Sequence, residues 1–378
     1  MMDLFSGGFL GSLIPFLVIL TVVVFFHELG HFWVGRLCGV KVETFSVGFG
    51  PELFAFNDKR GTRWRFAIIP LGGYVKFLSD GNAASLTDQD ALDAMDETDR
   101  KQSFAGKTVY QRAAIVAAGP AANFLLAIVI FAGIFMAFGR YETIAKVDGL
   151  VEGGAAAQAG FEVGDVITAV DGNAIRSFSD VQRIVSASAQ QSLEFVVDRN
   201  GVPLTLQATP EWREVEDGFG SKMRVGILGI SRSTGPDDLI QVRFGPVEAV
   251  TEATSETWFI ITRTLSYVAG IFTGEQSTDQ LGGPIRIAMV SGQAAAISWV
   301  TLANLAAFLS VSIGLINLFP VPVLDGGHLV FYAFEAIRGR PLSMKVQEMS
   351  FRIGMALILL LMVFTTWNDI AILPILNG

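Results

Sequence analysis

The chain is 378 residues long; 51% of the residues are hydrophobic and only 17% are charged. Its mean hydropathy of +0.49 is too high for an ordinary soluble protein of this length and indicates a membrane protein. The formal net charge of -9 argues against a nucleic-acid binder, because phosphate backbones attract positive surfaces. Cys38 is the only cysteine, so an internal disulfide is excluded.

Four runs of sequence without a charged side chain are candidate membrane spans, namely 4–26, 113–139, 287–324 and 353–368. Crossing a bilayer takes about 20 apolar residues, so the first two runs each fit one helix. The third run has 38 residues, and we expect a re-entrant or interfacial piece beside its helix. We therefore predict four transmembrane helices. The first should be retained, because a cleavable signal peptide begins with basic residues and this segment has none.

The first apolar run leads directly into the sequence HELGH at residues 27–31. Positions i and i+4 share one face of a helix, so His27 and His31 can reach the same metal ion. Glu28 lies beside them, placed to take a proton from an attacking water. Ionisable groups in a membrane helix cost about 2.5–3.5 kcal/mol each, which favours a functional site over a chance match of a short motif.

A second unusual stretch, NLFPVPVLDGG at residues 317–327, ends the third run. Two prolines break a helix and two glycines give backbone freedom, which predicts an unwound segment that carries Asp325. Catalytic zinc usually has three protein ligands, so Asp325 is the expected third ligand. A solvated turn is the alternative for Asp325. His328 is an alternative ligand, an orienting group or merely a neighbour.

Lysine and arginine residues predict the orientation of the spans. The 36–112 segment holds eleven of the 27 and the 329–352 segment holds four, whereas the termini beyond the outer spans hold none. Basic loops remain in the cytoplasm. We therefore expect these two segments inside, and both termini and the 140–286 segment outside. The metal site then lies towards the cytoplasmic side.

Residues 41–78 are predicted to form strands, because polar and apolar residues alternate on both sides of the turn-forming Pro70-Leu71-Gly72. A β-segment beside a catalytic helix can bind an extended peptide by strand addition. A purely structural hairpin is the alternative. The acidic stretch 80–99 is predicted to be a solvated loop.

Residues 141–235 are predicted to form a separate soluble domain of short strands with a helix at 179–188. The stretch AGFEVGDVI at 159–167 resembles a PDZ domain. PDZ domains bind peptide ends along a strand edge, so peptide binding and steric gating are both open for this domain. Residues 246–273 then predict an amphipathic helix with an acidic face, which lies on the membrane or supports the soluble domain.

The predicted fold is a polytopic α-helical membrane protein (four transmembrane helices) with a membrane-associated β-segment and an inserted PDZ-like α+β domain. Its parts in chain order are helix 1 with HExxH at 1–35, a cytoplasmic β-segment and acidic loop at 36–112, helix 2 at 113–140, the PDZ-like domain at 141–235, an amphipathic helix and linker at 246–286, helix 3 with NxxPxPxLDGG at 287–328, a cytoplasmic loop at 329–352 and helix 4 at 353–375.

The two motifs together resemble the site-2 protease family of intramembrane zinc metalloproteases. Further matches are LGGYVK at 71–76, GPAAN at 119–123 and LGGPI at 281–285. The likeness is closest to bacterial members of the regulator of sigma-E protease type. Many of those carry two PDZ domains, whereas this chain shows one.

The resemblance implies site residues and a cofactor. Zn²⁺ would be held by His27, His31 and Asp325, with Glu28 as the catalytic acid–base group. Asn123 and Asn317 would position the substrate or stabilise the oxyanion.

The resemblance also implies a function, which is cleavage of single-span membrane proteins within the bilayer after a first protease has trimmed their outer part. Anti-sigma factors and remnant signal peptides are the expected substrates, membrane lipid surrounds the protein, and the expected location is the bacterial cytoplasmic (inner) membrane. A zinc-binding membrane transporter is one alternative, and it needs no base at Glu28. A non-catalytic PDZ membrane scaffold is another, and it needs no polar motifs in two spans.

Overall fold

The computed structural model describes residues 9–78, 95–216, 222–232, 239–274, 278 and 282–372. The chain divides into two compact units. The first consists of Met1–Ile134, Ala249–Thr264 and Leu281–Gly378, and the second of Phe135–Glu248 and Leu265–Gln280. Most of the predicted acidic loop lies outside the described residues.

The helices are, in chain order, α1 (Phe9–Leu37), α2 (Glu97–Gln102), α3 (Val109–Phe138), α4 (Ala155–Gln158), α5 (Phe178–Ala187), α6 (Pro246–Thr273), α7 (Pro284–Ile297), α8 (Trp299–Asn317), α9 (Asp325–Arg338) and α10 (Met344–Ile372). The strands are β1 (Val42–Asn57), β2 (Arg63–Phe77), β3 (Arg140–Thr143), β4 (Gly149–Leu150), β5 (Val166–Val170), β6 (Asn173–Ala174), β7 (Leu193–Arg199), β8 (Val202–Ala208), β9 (Glu211–Glu216), β10 (Lys222–Ile227), β11 (Ile230–Ser231) and β12 (Leu239–Val242).

Four helices among the described residues are long and apolar enough to cross a membrane, over Gly11–Leu37, Val109–Phe138, Trp299–Asn317 and Met344–Ile370. The predicted number of membrane-spanning helices is confirmed on these criteria. Pro15 and Pro120 lie inside two of these helices. Proline is tolerated within a membrane bundle, because neighbouring helices and local adjustments satisfy the backbone groups that it frees.

The third apolar run, in which we expected a membrane-spanning helix and a further piece, contains two helices. It forms α7, stops at Ser298 and restarts as α8, because Ser298 has an extended backbone and its hydroxyl accepts a hydrogen bond from the Thr301 amide. The predicted loop 329–352 is largely helical, since α9 continues to Arg338 and α10 begins at Met344. Charge-free runs indicate where lipid can surround a helix, whereas caps and turns decide where the helix ends.

Strands β1 and β2 form an antiparallel sheet that folds back on itself. Residues 44–47 pair with 73–76 on one side and with 63–66 on the other, and residues 63–66 also pair with 54–57. The predicted turn at residues 70–72 is a bend within the continuous strand β2. The stretch 73–77 therefore forms one edge of the sheet.

Aromatic side chains pack this sheet against α1. The rings of Phe45 and Trp64 stack with centroids 4.3 Å apart, and Phe32 of α1 meets Phe45 edge-on at 5.4 Å. Other parts of the two strands expose the apolar side chains of Phe49, Leu53, Phe54, Phe56, Phe66, Ile68 and Ile69. An exposed apolar patch of this kind is typical of a surface that contacts lipid or another protein.

The second unit contains a four-stranded antiparallel sheet in the order β6-β5-β7-β8. Asp171-Gly172 and Asn200-Gly201 have positive φ and form the tight turns between neighbouring strands. The predicted helix at 179–188 is found as α5, which begins with a capping box between Ser177 and Asp180. Helix and sheet share one apolar core.

Asp165 is buried in the second unit and paired with Arg199. The arginine donates two hydrogen bonds of 2.8 Å to the carboxylate and a third of 2.6 Å to Glu162. The Arg199 guanidinium holds the pKa of the Asp165 carboxyl below its ordinary value. Because Arg199 also bonds the carbonyl of Gly160, one side chain fixes much of the AGFEVGDVI stretch.

Candidate metal centre

The side chains of His27, His31 and Asp325 meet at one point in the first unit. Nε2 of His27 lies 3.1 Å from Oδ2 of Asp325 and 3.2 Å from Nε2 of His31. Nε2 of His31 lies 3.6 Å from the same carboxylate oxygen. One potential ligand atom from each residue lies within 4.8 Å of the others. The structure thus brings together the three residues that the sequence predicted as ligands.

Helix α1 and helix α9 supply these side chains. His27 and His31 stand one turn apart on α1, and their rings meet edge-on with centroids 4.9 Å apart. The predicted unwound segment comprises residues 318–324, but Asp325 itself is the first residue of α9. A carboxylate is favourable in the first turn of a helix, because the free amides there carry partial positive charge.

Gly326 and Gly327 fix the position of Asp325 by allowing close packing. The sequence predicted that they provide backbone freedom, yet both are ordinary helical residues. A Cβ on Gly326 would lie 2.3 Å from the carbonyl oxygen of Leu318, and a Cβ on Gly327 would lie 2.3 Å from that of Val321. The 318–324 segment can therefore fold tightly over the start of α9 only because both side chains are absent.

Hydrogen bonding determines which nitrogen of His31 faces the cluster. Nδ1 lies 2.9 Å from the carbonyl oxygen of Ile115, which can only accept, so Nδ1 carries the proton. Nε2 of the neutral ring then directs a lone pair towards Asp325. Oδ2 of Asp325 is buried and has no hydrogen-bond donor among the described residues. Acceptor atoms that face one another without a proton repel, and a cation between them removes the repulsion.

The donor set of this cluster fits zinc. Two imidazole nitrogens and one carboxylate oxygen are the usual protein ligands of a catalytic zinc ion, which keeps a fourth position open. The orphaned oxygen of Asp325 and the inward lone pair of His31 are the arrangement that such an ion requires.

Glu28 lies between the cluster and strand β2. A Cβ on Gly73 would lie 3.4 Å from Cγ of Glu28 and 2.6 Å from the carbonyl oxygen of Ser46. The strand thus passes close to the carboxylate because position 73 has no side chain. The contact at Gly73 places the start of the 73–77 stretch beside Glu28.

Two glycines that the sequence analysis did not assign to the site shape it. A Cβ on Gly119 of α3 would lie 2.3 Å from Nε2 of His31 and 2.9 Å from Cε1 of His27. A Cβ on Gly30 would lie 2.2 Å from the carbonyl oxygen of Ala118. Glycine inside a helix lowers helix stability by roughly 1 kcal/mol relative to alanine. The glycines in these two apolar spans could therefore have been predicted from the sequence to mark sites where helices pack closely.

Asn123, Asn317 and His328 have different positions relative to the cluster. Asn123 is fully buried in α3, and its Nδ2 lies 3.2 Å from Nδ1 of His27. Asn317 is half-buried and is the last residue of α8, where the 318–324 segment begins. His328 is outside the three-residue cluster, and its ring centroid lies 6.3 Å from that of Phe331.

Comparison with known proteins decides the family. The model of Peptidase family M50 matches residues 15–361. The chain belongs to peptidase family M50. Over 97% of each chain, it is 50% identical to a protein of Agrobacterium fabrum named as zinc metalloprotease Atu1380. It is 47% identical to zinc metalloprotease R01501 of Rhizobium meliloti, over 94% of this chain and 95% of the relative.

A third relative is metalloprotease MmpA of Caulobacter vibrioides, which is 43% identical over 96% of each chain. The family resemblance inferred from the two motifs is confirmed. This M50 protein is a zinc metalloprotease, and its four apolar helices make it a multi-pass membrane protein.

Proposed function

We propose that this M50 metalloprotease cleaves single-span membrane proteins within the bilayer, with zinc held by His27, His31 and Asp325. The observation that carries the proposal is the place of the cluster in the chain. Both histidines belong to a helix that is long and apolar enough to cross a membrane, over Gly11–Leu37. A protease with its metal ligands on a membrane span acts on chains that reach the same depth.

Zinc, when bound, supplies a Lewis acid that polarises the scissile carbonyl and acidifies the attacking water. Glu28 takes the proton of that water and passes it to the leaving amine. The carboxylate lies one residue from His27 on the same helix, which supports this role. Asn317, at the end of α8, is the proposed donor to the oxyanion or to the substrate backbone.

Strand β2 supports a way of presenting the substrate. A helical substrate keeps its carbonyls in hydrogen bonds, so it must unwind before it can be cleaved. The stretch 73–77 pairs with β1, and Gly73 at its start lies beside Glu28. An unwound segment that adds to this edge by strand pairing would pass the carboxylate in an extended conformation.

The proposal includes substrate class and location. Anti-sigma factors and remnant signal peptides are the proposed substrates, trimmed beforehand by another protease, and the bacterial inner membrane is the proposed site of action. Residues 141–235, which belong to the second unit, are proposed to form a PDZ-like domain that restricts entry to the active site. Its sheet, its helix α5 and the AGFEVGDVI stretch support that likeness.

The Glu28→Gln variant tests the proposed chemistry. It keeps the shape of the side chain but cannot accept a proton, so cleavage of a membrane substrate should fall by a factor of at least about 10², the usual contribution of a general base. Zinc content should remain that of the wild type. Glu97→Gln changes an exposed glutamate of α2 and serves as the control.

The same variant separates the alternatives and finds the substrate. Glu28→Gln expressed in cells should retain uncleaved membrane proteins, which mass spectrometry of the purified complex would identify. A transporter or a PDZ scaffold has no use for a base at this position. Undiminished cleavage by Glu28→Gln would therefore rule out the proposed mechanism.

A further inference from the structure

Asn123 is a buried polar residue on the far side of His27 from the cluster. Its side chain is completely buried, and its amide nitrogen lies 3.2 Å from Nδ1 of His27. Its Oδ1 is buried as well and has no hydrogen-bond partner among the described residues. A buried carbonyl oxygen without a donor costs about 1–3 kcal/mol, so this arrangement needs an explanation.

The two orientations of the Asn123 amide have opposite consequences for His27. If the NH₂ group donates to Nδ1, the proton of the neutral ring lies on Nε2 and points into the cluster. If the amide is turned by half a rotation, Oδ1 accepts the proton of Nδ1 and the lone pair of Nε2 faces Asp325. The two orientations have almost the same shape. Only the second leaves His27 able to bind a metal.

We propose that Asn123 is a positioning residue that accepts the Nδ1 proton of His27 and so directs the Nε2 lone pair of that ring to zinc. The proposal rests on the ligand role of His27 in the proposed function. A metal-binding histidine almost always donates its other N–H to an oxygen, which fixes both the tautomer and the ring orientation. Asn123 supplies that oxygen for His27.

One face of α3 serves both histidines. Ile115, Gly119 and Asn123 are spaced four residues apart and therefore lie along one side of the helix. The Ile115 carbonyl accepts from His31, the missing side chain of Gly119 leaves room for both rings, and Asn123 contacts His27. Gly119 and Asn123, the first and last residues of the GPAAN motif, therefore both contact the histidines of the cluster.

Helix α8 packs against the backbone of Asn123. Ser310 donates a hydrogen bond of 2.8 Å to the backbone carbonyl of Asn123. A Cβ on Gly314 would lie 3.1 Å from Cβ of Asn123, so the two helices touch at this point. The complete burial of Asn123 and its place on the Nδ1 side of the imidazole support a positioning role rather than the predicted contact with substrate or oxyanion.

The test compares zinc affinity in two variants of the purified full-length protein. Asn123→Leu has a similar volume but no acceptor, and Asn123→Asp keeps an acceptor. Affinity is measured by competition with a chelator, which is independent of protease activity. We expect Asn123→Leu to bind zinc about 10–100-fold more weakly, the usual effect of losing such a partner. Asn123→Asp should bind zinc at least as tightly as the wild type.

Ser310→Ala is the matched control, because it removes a buried hydrogen bond to the same residue and leaves the amide–imidazole pair intact. It should keep wild-type zinc affinity. If Asn123→Leu fails to fold, Asn123→Ala replaces it. Tenfold weaker binding by Asn123→Asp, or wild-type binding by the variant without an acceptor, would overturn the positioning role.

His27→Ala distinguishes this inference from the proposed function. If His27→Ala binds zinc as tightly as the wild type, the proposed ligand set is wrong. If His27→Ala loses zinc and the Asn123 variant without an acceptor does not, only the positioning role is wrong. Cobalt substitution adds a spectroscopic check, because the absorption of bound Co²⁺ reports the ligand geometry and should change in Asn123→Leu but not in Ser310→Ala.

Discussion

Gly119 leaves the space that the imidazole of His31 occupies. A Cβ at position 119 would lie 2.3 Å from Nε2 of His31, the nitrogen that faces Asp325. No real Cβ approaches a heavy atom so closely, so a side chain here must displace the ring or the helix. The geometry of the metal centre therefore depends on a residue that makes no polar contact with it.

Gly119→Ala should weaken zinc binding and proteolysis by about 5–150-fold, because overpacking of a tight site costs about 1–3 kcal/mol and each 1.4 kcal/mol is about tenfold. Zinc analysis and cleavage of a membrane substrate would measure both effects. Gly133→Ala is the control on the same helix, since a Cβ placed there meets no atom of the described residues within 4 Å apart from its chain neighbours and the nearby backbone of its own helix. Equal behaviour of the two variants would show that the space at position 119 is dispensable.

Asp325→Ala should reduce zinc retention during purification, because it removes one of the three converging ligand atoms. His328→Ala should retain close to one zinc per chain, since His328 lies outside that cluster. Metal analysis of both purified variants measures the difference. Full zinc content and normal activity in Asp325→Ala would remove Asp325 from the site and favour His328.

The orientation across the membrane can be tested by cysteine labelling after Cys38 is replaced by serine. Glu97 and Val202 are exposed, and the basic-loop rule places them on opposite sides. A membrane-impermeant reagent applied to intact cells should label Val202→Cys and leave Glu97→Cys unlabelled. Labelling of Glu97→Cys from outside would reverse the proposed topology.

The 141–235 domain should restrict substrates without contributing to the chemistry, because every residue assigned to the centre lies outside it. Deleting the domain should leave cleavage of a trimmed substrate unchanged and add cleavage of an untrimmed one. Both substrates are compared in membranes with matched expression of the full-length and deleted proteins. Loss of all cleavage by a folded, zinc-containing deletion variant would instead identify the domain as a required docking site.

Asp165→Asn should reduce the free energy of unfolding of the second unit by about 2 kcal/mol at pH 7, because it weakens hydrogen bonds to a charged partner. The pKa of Asp165 is lower in the folded than in the unfolded chain. Its stabilising effect is therefore complete above the unfolded value, about 3.9, and is lost as the pH falls through the folded value.

Thermal unfolding at several pH values measures this effect. The difference between Asp165→Asn and wild type should shrink as the pH falls below about 4. Glu162→Gln changes an exposed partner of the same arginine and should cost less than about 1 kcal/mol. A difference that does not vary with pH would show that packing rather than charge explains the loss.

The sequence alone determined the chemistry of this protein to a large extent. His27 and His31 had to share a helix face once a helix was assigned, because the spacing of four fixes that geometry. The apolar runs identified four spans, because lipid tolerates few charges over about 20 residues. The Asn-Gly and Asp-Gly turns and the capping box of α5 were likewise decided by short-range rules.

Only the tertiary structure decided how the distant parts meet. The contacts of Gly119 with His31 and of Asn123 with His27 join helices that local patterns describe separately. The break between α7 and α8 depends on the hydroxyl of Ser298, which caps α8. The average hydropathy of the apolar run does not reveal the effect of a single hydroxyl group. The sequence predicted that Gly326 and Gly327 provide backbone freedom, whereas the structure shows that they allow close packing against residues 318–324. Close packing depends on how two segments meet, and a local sequence pattern describes only one of them.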